Sequence, residues 1–254
     1  MSKKYNVAIV GATGAVGQMM LKILMERKFP INNLHLLASK KSKGKTITIN
    51  NSDYQVSSLN EFNFQGVDIA MFSAGSDISE KYAKVATKNN AVVIDNTSFF
   101  RYEDNIPLVV PEVNSEKISL YKETGIIANP NCSTIQMLVA LKPIHDICKI
   151  KRINVCTYQA VSGSGNEAID ELKNQVYAYT RNESLVNNVY PKQIAFNVIP
   201  QIDKFMDNGY TKEEMKVTWE SQKIMDAPDM KVSCTAVRIP TLRAHSEAIT
   251  IETE

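Results

Sequence analysis

The sequence is poor in cysteine, in net charge and in long apolar runs, and each scarcity excludes a class of protein. Its 254 residues include 29 basic and 27 acidic side chains, and a net charge of +2 argues against a nucleic-acid groove. No apolar run reaches the roughly 18 residues of a membrane span, and the N-terminus lacks the apolar core of a signal peptide. The four cysteines lack paired spacing, which excludes a zinc site and a disulfide scaffold. We therefore expect a cytoplasmic protein with reduced thiols, no metal, and no nucleic-acid or membrane partner.

The first half of the chain alternates short β-branched runs with segments of helical periodicity. With 44% hydrophobic residues, the chain has ample material for a core. Strands are predicted at residues 5–10, 34–38, 47–56, 67–74, 92–95, 108–110 and 126–128, and helices at 16–28 and 79–89. This alternation predicts an α/β fold with a doubly wound parallel sheet in residues 1–128.

The pattern changes after residue 128. Three strands are predicted at residues 153–161, 232–239 and 248–253, and their period-two alternation is typical of a mixed or antiparallel sheet. Helices are predicted at 134–141 and 167–179. Residues 129–254 are therefore predicted to form a second, α+β domain whose helices cover one face of its sheet.

The first predicted strand runs into three glycines spaced three apart, and a helix begins at once. Such glycines allow a tight turn, close approach of backbone N–H groups to a pyrophosphate, and close packing of helix on strand. A simple glycine turn is the alternative, because the spacing differs from GxGxxG. The strand–turn–helix context favours a Rossmann-type dinucleotide-binding domain. Its predicted cofactor contacts are Gly11, Thr13, Gly14, Ala15, Val16 and Gly17.

The end of the second predicted strand indicates which dinucleotide binds. An NAD site places Asp or Glu there to hold the ribose 2′-hydroxyl, whereas this sequence has Ser39, Lys41 and Ser42. Hydroxyl groups and a cation suit a 2′-phosphate, so the predicted cofactor is NADP. Without the glycine turn, a solvated lysine-rich loop would be the preferred interpretation.

One cysteine lies at a predicted helix start. Asn131, Ser133 and Thr134 around Cys132 are residue types that cap helices, and the unpaired N–H groups and dipole of a helix start lower the pKa of a thiol. Cys132 is therefore the predicted nucleophile. The other three cysteines lie in apolar, strand-like segments, where packed thiols are expected. They are Cys148, Cys156 and Cys234.

A nucleophilic cysteine and a nicotinamide together indicate an aldehyde chemistry. A thiohemiacetal gives up hydride and becomes a thioester, and the reverse reaction reduces the thioester. Such chemistry needs an acid-base group, and only three histidines are present. His245, in a polar segment between two predicted strands, is the candidate, with a surface-turn histidine as the alternative.

These motifs together resemble those of the aspartate-β-semialdehyde dehydrogenases. The matching segments extend over the chain and are VAIVGATGAVGQ, ASKKSKGK, DNTSFFR, PLVVPEVN, ANPNCSTIQ, TYQAVSGSG, WESQKI and VRIPTLRAHSEA. The related N-acetyl-glutamyl-phosphate reductases carry NPGCYPT-like sequence around their cysteine, which this chain lacks. The resemblance implies a glyceraldehyde-phosphate-dehydrogenase-like catalytic and dimerisation domain after the NADP domain, in a homodimer or homotetramer. Because members of the family continue beyond the position of Glu254, the chain is expected to be incomplete at its C-terminus.

The resemblance implies roles for the residues around the reacting carbon. By position, Cys132 would be the nucleophile and His245 the general acid/base. Gln159 would help to orient the substrate, and Ser162 and Gly163 would lie near the nicotinamide side of the cofactor.

The resemblance also implies a set of substrate-binding residues. Arg238 would hold the substrate carboxylate and Glu220 its ammonium group, while Arg101, Lys223 and Asn131 would bind the phosphoryl group. The chemistry agrees, because a guanidinium pairs bidentately with a carboxylate and paired cations suit a phosphate.

The implied reaction is the reversible, NADP-linked conversion of aspartyl-4-phosphate to aspartate-4-semialdehyde and phosphate, in the biosynthesis of lysine, threonine, methionine and isoleucine. Two alternatives stay open: a reductase for another acyl phosphate, such as N-acetyl-glutamyl phosphate, and a non-catalytic NADP-binding regulatory protein. The presence of Cys132, Gln159, Arg238 and His245 argues against a regulatory protein, which would have no need of all four.

The residues after the second predicted strand generate a prediction about cofactor choice. We expect NADP to bind at least about tenfold more tightly than NAD, a difference of about 1.4 kcal/mol that one phosphate contact can supply. Fluorescence titration with both dinucleotides measures this ratio. Equal affinities would contradict the assignment of Ser39, Lys41 and Ser42 to a 2′-phosphate.

Overall fold

The computed structural model describes residues 3–49 and 51–254 and divides the chain into two compact units. The first unit is Met1–Pro130 and the second is Asn131–Glu254, so the expected boundary after residue 128 falls two residues before the division. Each unit has its own sheet, of seven strands in the first and three in the second. Across the described residues, no helix combines the length and the apolarity needed to cross a membrane.

The first unit is the predicted α/β domain. Its strands are β1 (Tyr5–Val10), β2 (Ile31–Ala38), β3 (Thr46–Ile49), β4 (Ser52–Ser58), β5 (Ile69–Phe72), β6 (Val92–Asp95) and β7 (Ile126–Ala128). Its α-helices are α1 (Ala15–Glu26), α2 (Ser76–Lys88) and the short α3 (Pro111–Asn114). The strand order is β3-β4-β2-β1-β5-β6-β7, and every neighbouring pair is parallel except β3 with β4.

Strand β1 lies at the centre of this sheet. Residues 7–10 are at most 1% exposed, as expected for a strand inside a parallel sheet. From β1 the chain adds β2 and β4 on one side and then β5, β6 and β7 on the other. The strand order therefore reverses between β1 and β5, and the loops after the carboxyl ends of strands at such a reversal form a binding crevice.

Two predictions for this unit are wrong. Residues 47–56 do not form one strand, because β3 and β4 pair antiparallel and Asn51 between them has a left-handed φ of 61°. Asn50, within that predicted strand, lies outside the described residues. Residues 108–110 form a single bridge, Leu108 with Ala128, since Pro107 and Pro111 have no N–H group to extend a ladder.

The second unit contains the predicted mixed sheet. Its elements are α4 (Cys132–Cys148), β8 (Ile150–Gln159), α5 (Asn166–Thr180), α6 (Lys212–Ile224), β9 (Lys231–Arg238) and β10 (His245–Thr253). The central strand β8 pairs parallel with β9 and antiparallel with β10. Side chains along β8 alternate between buried, as at Val155 and Thr157, and exposed, as at Tyr158. Helices α4 and α6 pack against this sheet.

Two helices of the second unit differ from the sequence analysis. Helix α4 extends from Cys132 through Pro143 to Cys148, where the pattern predicted an end at residue 141. Pro143 is exposed, so the carbonyl group that loses its N–H partner there can bond to water. Helix α6 was not predicted, although Thr211 and Glu214 form a capping box in the S/T-x-x-E spacing that marks a helix start.

Gly17 allows α1 to pack closely against the turn after β1. A Cβ atom at Gly17 would overlap the carbonyl oxygen of Gly11 and lie 2.8 Å from Cα of Ala12. We expect Gly17→Ala to lower the free energy of unfolding by about 1–3 kcal/mol, the usual cost of overpacking, although alanine favours helices by about 1 kcal/mol. Urea unfolding measures the difference.

Gly14→Ala is the matched control for this prediction. A Cβ atom at Gly14 would lie 3.3 Å from the carbonyl oxygen of Gly11, and its φ of −77° suits any residue. The smaller crowding predicts a smaller loss of stability. Equal stability of Gly17→Ala and the unsubstituted protein would contradict the packing argument.

Candidate active site

Helix α4 begins at Cys132, which confirms the predicted helix start. The N-cap residue is Asn131, with an extended backbone, and its Oδ1 accepts hydrogen bonds from the backbone N–H groups of Ser133 (3.0 Å) and Thr134 (3.3 Å). The Cys132 thiol is exposed. An exposed thiol in the first turn of a capped helix lies where the helix dipole favours a thiolate.

Asn131 is also tied to helix α6 by two carboxylates. Its backbone N–H donates to Oε2 of Glu220 at 2.6 Å, and its Nδ2 donates to Oε1 of Glu213 at 2.8 Å. Both of its side-chain polar atoms are therefore engaged within the protein. These contacts fix the start of α4 and use one of the two Nδ2 protons, which leaves the other for the phosphoryl group that the resemblance assigns to Asn131.

Three side chains form a row across the sheet beside this helix start. Gln159, the last residue of β8, pairs in register with His245 of β10 and with Arg238 of β9. The Nε2 group of Gln159 lies 3.1 Å from Oγ of Ser133, the residue after Cys132. The fold thus brings the candidate acid-base, orienting and carboxylate-binding residues to the start of the cysteine helix.

Gln159 is almost completely buried and its amide nitrogen faces several acceptors. It is 1% exposed, and besides Ser133 its Nε2 lies 3.2 Å from Oγ1 of Thr157 and 3.4 Å from Oε1 of Glu213. Three acceptors around two amide protons orient the group firmly. Its Nε2 side is therefore occupied by the protein, which leaves Oε1 as the atom that can face a ligand.

Arg238 is a buried cation for which the described part of the chain supplies no anionic partner. It is 5% exposed, its Nη1 donates to the carbonyl oxygen of Ala160 at 2.7 Å, and its Nε makes no hydrogen bond. Among the described residues, no carboxylate forms a salt bridge with it. A buried charge is costly unless it is paired, so the open N–H groups of Arg238 suit the carboxylate of a ligand.

Gly163 leaves room beside Arg238 and His245. A Cβ atom at Gly163 would lie 2.9 Å from Nη1 of Arg238 and 3.5 Å from Nε2 of His245. Ser162 and Gly163 belong to a single 3-10 turn, Val161–Ser164. The turn therefore passes directly over two candidate catalytic and binding groups.

His245 is held in one neutral tautomer. Its Nδ1 accepts a hydrogen bond from the backbone N–H of Ala160 at 3.1 Å, which leaves the proton of the neutral ring on Nε2. Burial lowers the pKa of His245, and Arg238 lowers it further, against the opposing influence of the Ala244 carbonyl group and Glu213. The ring is thus neutral at pH 7 and can donate a hydrogen bond from Nε2 to a developing oxyanion.

Glu213 lies among the candidate site residues, although no sequence motif predicted it there. It is 6% exposed, and Lys216 approaches its Oε2 at 3.0 Å while also pairing with Asp203 at 2.9 Å. Burial alone would raise the pKa of Glu213, but the charge of Lys216 and hydrogen bonds from Asn131, Lys216 and Gln159 together lower it. Glu213 is therefore an ionised carboxylate within the fold.

A second acid, Glu247, was also missed. It lies two residues after His245 on β10, so the two side chains share a face of the sheet. Burial raises the pKa of Glu247 to about 7, although Gln136 and Ser133 lower it in part, and its buried Oε1 makes no hydrogen bond. Glu213 lies outside the matching segments, whereas Glu247 lies within VRIPTLRAHSEA but was assigned no role there.

A sequence signal for the α6 residues does exist. Glu213, Lys216, Glu220 and Lys223 recur with spacings of three, four and three, which places them on one face of a helix. Together with the capping box, this pattern predicts a helix with a charged stripe. Glu220 is fully buried and Lys223 is partly exposed in the last turn.

Arg101 belongs to the first unit. It is 6% exposed, its Nε donates to the carbonyl oxygen of Thr97 at 3.0 Å, and its Nη2 donates to that of Asn96 at 3.0 Å. These bonds fix the guanidinium group after the carboxyl end of β6. Loops at this end of a doubly wound sheet are the usual location of ligand-binding residues.

The expectation of packed thiols is wrong for two cysteines. Cys148 ends α4 and Cys156 lies on β8, and both are exposed. Period-two alternation turns Cys156 to the opposite face of β8 from Val155 and Thr157. Only Cys234 is buried, and burial raises its pKa to about 12.

The glycine turn has the geometry that a dinucleotide requires. Gly11 has a φ of 91°, and a Cβ atom there would lie 2.9 Å from the backbone of Ser73. Helix α1 has Gly14 as its N-cap, with no side-chain cap and no acidic residue in the first turn. Its first N–H groups are thus open to an anion, which is the arrangement that binds a pyrophosphate.

The remaining predicted turn contacts lie where the sequence placed them. Thr13 precedes Gly14, and Ala15, Val16 and Gly17 form the first turn of α1. After β2, Ser39 and Lys41 are exposed, whereas Ser42 is buried. Ser39 and Lys41 can therefore reach a 2′-phosphate, and the Ser42 hydroxyl is the less accessible group.

Family models match most of the chain. The model described as "Semialdehyde dehydrogenase, NAD binding domain" matches residues 6–121, and "Semialdehyde dehydrogenase, dimerisation domain" matches residues 141–254. The two matches fall in the first and second units of the structure.

Curated relatives and solved structures are similar over almost the whole chain. Aspartate-semialdehyde dehydrogenase of Shewanella violacea is 56% identical over 253 residues, which cover 100% of this chain and 75% of that protein. A crystal structure of aspartate semialdehyde dehydrogenase II from Vibrio cholerae, described as complexed with ASA, has 55% identity and a TM-score of 0.98, covering 99% of this chain and 75% of that chain. The enzyme of Candida albicans, described as a structure with NADP, has 25% identity and a TM-score of 0.74, covering 98% and 72%.

The environment of His245 generates a prediction about its titration. We expect its pKa to lie below 6.5, because burial and the charge of Arg238 both disfavour the imidazolium form. Arg238→Met should raise the pKa of His245, since the variant removes a nearby positive charge. Imidazole NMR signals followed from pH 5 to 8 measure both values.

His35 and His145 serve as internal controls in the same spectra. Burial lowers the pKa of each, and Arg238 contributes to neither shift. Their titrations should be unchanged in Arg238→Met. A pKa of His245 above 6.5 in the unsubstituted protein would contradict the prediction.

Proposed function

This chain belongs to the aspartate-semialdehyde dehydrogenase family, and on that premise we propose that it reduces aspartyl-4-phosphate reversibly to aspartate-4-semialdehyde and phosphate, with NADP, through a thioester on Cys132. As a member of this family it is an oxidoreductase of amino-acid biosynthesis. The proposed pathways are those to lysine, threonine, methionine and isoleucine, in the cytoplasm.

One observation carries the proposal. His245, Gln159 and Arg238 stand in one row across three strands, and Gln159 joins that row to the start of the Cys132 helix. The helix start supplies a nucleophile, and the adjoining end of the sheet supplies a proton donor and a buried unpaired cation. Together these groups suit an acyl group that bears a carboxylate.

The charges of the site support an amino-acid substrate. Arg238 would bind the α-carboxylate, because it is buried and has open N–H groups. Glu220 would bind the ammonium group. Arg101 and Lys223, with Asn131, would bind the phosphoryl group, since two cations match its charge.

The steps follow from these groups. The Cys132 thiolate attacks the acyl carbon, the bond from that carbon to the phosphate oxygen breaks, and phosphate leaves as a thioester forms on Cys132. The start of α1, with Ser39 and Lys41, would hold NADPH, which would supply the hydride for this carbonyl carbon. The Nε2–H of His245 stabilises the resulting oxyanion, the C–S bond then breaks, and the aldehyde departs as the thiolate is restored.

The residues of the first unit support a pyridine-nucleotide cofactor. The open start of α1 would hold the pyrophosphate through the N–H groups around Gly14, and Ser39 and Lys41 would hold the 2′-phosphate of NADP. Ser162 and Gly163 would contact the nicotinamide side.

We also propose that the protein assembles as a dimer through its second unit. The matching family model is described as a dimerisation domain, and the side of β8 that carries Cys156 and Tyr158 is exposed. A homotetramer would be a pair of such dimers.

An assay in the reverse direction tests the proposed function. NADPH formation from aspartate-4-semialdehyde and NADP should require phosphate, because phosphate releases the acyl group from Cys132. Cys132→Ser should abolish the reaction, and a mass increase on Cys132 without phosphate should reveal the thioester. Turnover that is independent of phosphate, or of Cys132, would refute the proposal.

Arg238→Lys distinguishes a carboxylate-binding fork from a general surface cation. Loss of a bidentate pair should lower kcat/KM for the amino-acid aldehyde by a factor that corresponds to about 1.5–3 kcal/mol of lost transition-state stabilisation. The affinity for NADP should stay unchanged. Steady-state kinetics and a dinucleotide titration measure the two effects. An unchanged kcat/KM would show that Arg238 does not bind the carboxylate.

A further inference from the structure

Glu213 of helix α6 is an ionised carboxylate that contacts Asn131, the residue before the candidate nucleophile Cys132. Oε1 of Glu213 accepts hydrogen bonds from Nδ2 of Asn131 at 2.8 Å and from Nε2 of Gln159 at 3.4 Å. Its Oε2 accepts from Nζ of Lys216 at 3.0 Å. The buried Glu213 side chain thereby joins Asn131, the N-cap of the Cys132 helix, to Gln159, the middle residue of the row across β10, β8 and β9.

The charge of Glu213 is compensated within the second unit. Lys216, whose side chain is 13% exposed, bridges Glu213 and Asp203. Burial would lower the pKa of Lys216, but the two carboxylates raise it, so the ammonium group stays charged. Removing one member of a buried pair leaves the other uncompensated, which makes the arrangement sensitive to substitution.

We propose that Glu213 is a positioning residue. It holds Asn131 and Gln159, and thereby fixes the position of the Cys132 thiol relative to the Gln159 amide that would orient the substrate. The part that concerns substrate rests on the proposed function. Glu213 reaches the chemistry only through these two amides. Both of its oxygens are required, because Oε1 accepts hydrogen bonds from the amides of Asn131 and Gln159 and Oε2 accepts one from the ammonium group of Lys216.

Glu213→Gln tests the need for two acceptors. A glutamine has one acceptor oxygen, so its NH2 group must face either Asn131 and Gln159 or Lys216, all of which are donors. We expect the helix cap to loosen and the alkylation of Cys132 by iodoacetamide to slow. The expected factor is about fivefold, which corresponds to the free energy of about 1 kcal/mol that an N-cap contributes. For aspartate-4-semialdehyde, kcat should fall by about the same factor and KM should change less.

Three features of the chain supply the controls. Cys148 is an exposed cysteine at the far end of α4 in the same sample, and mass spectrometry should find its alkylation rate unchanged. Glu214→Gln alters the neighbouring buried carboxylate, which bonds Thr211 and Ala236 instead of the site, so it should lower Tm and leave the Cys132 rate unchanged. The double variant Glu213→Gln with Lys216→Met removes the facing ammonium group and should restore the Cys132 rate to within about twofold.

If Glu213→Gln does not fold, Glu213→Asp is the second variant to test, because it keeps the negative charge. Its carboxylate is one methylene shorter, so it should retain Lys216 but withdraw from Asn131, and Cys132 should again react more slowly. An unchanged Cys132 rate in Glu213→Gln or Glu213→Asp, or an equal slowing in Glu214→Gln, would overturn the proposal. The alkylation measurement needs no turnover, so it is independent of whether the unsubstituted protein catalyses the proposed reaction.

Discussion

The second unit depends on how Asn131 satisfies its hydrogen bonds. The side-chain oxygen caps α4, the side-chain nitrogen meets Glu213, and the backbone N–H meets Glu220. Each of these bonds is made among buried atoms, where an unmatched polar group costs about 1–3 kcal/mol. Asn131 therefore fixes the start of α4 against helix α6, and Glu213 extends the connection to Gln159 at the end of β8. Cys132 is the next residue along the chain.

Lys216, which is half-buried, and Arg238, which is buried, differ in how their positive charges are compensated. Lys216 lies between Glu213 and Asp203, so its charge is neutralised by the protein itself. Arg238 has a carbonyl oxygen as its hydrogen-bond partner and no carboxylate among the described residues. Because burying an unpaired charge is costly, Arg238 is the cation for which we propose a ligand as the missing partner.

The two units also use helix starts in different ways. The start of α1 is capped by glycine and has no side chain that accepts its N–H groups, which leaves them for an anion. The start of α4 has its second and third N–H groups bonded by Asn131, so the helix is anchored and the exposed thiol of Cys132 receives the benefit of the dipole. The same element thus serves as an anion site in one unit and as a rigid support in the other.

The sequence by itself determined the parallel sheet, the glycine turn and the helix start at Cys132, because each depends on neighbours along the chain: β-branched periodicity, glycines three apart, and an asparagine before the first turn. The choice among three histidines supplied His245, and motif resemblance supplied Gln159 and Arg238, but neither could explain why the three residues belong together. Strand register decided that, by aligning residues 159, 238 and 245 across β8, β9 and β10. Glu213 and Glu247 were found only in the folded chain, since a carboxylate in a helix or an alternating strand looks solvent-exposed until packing buries it against groups far away in sequence.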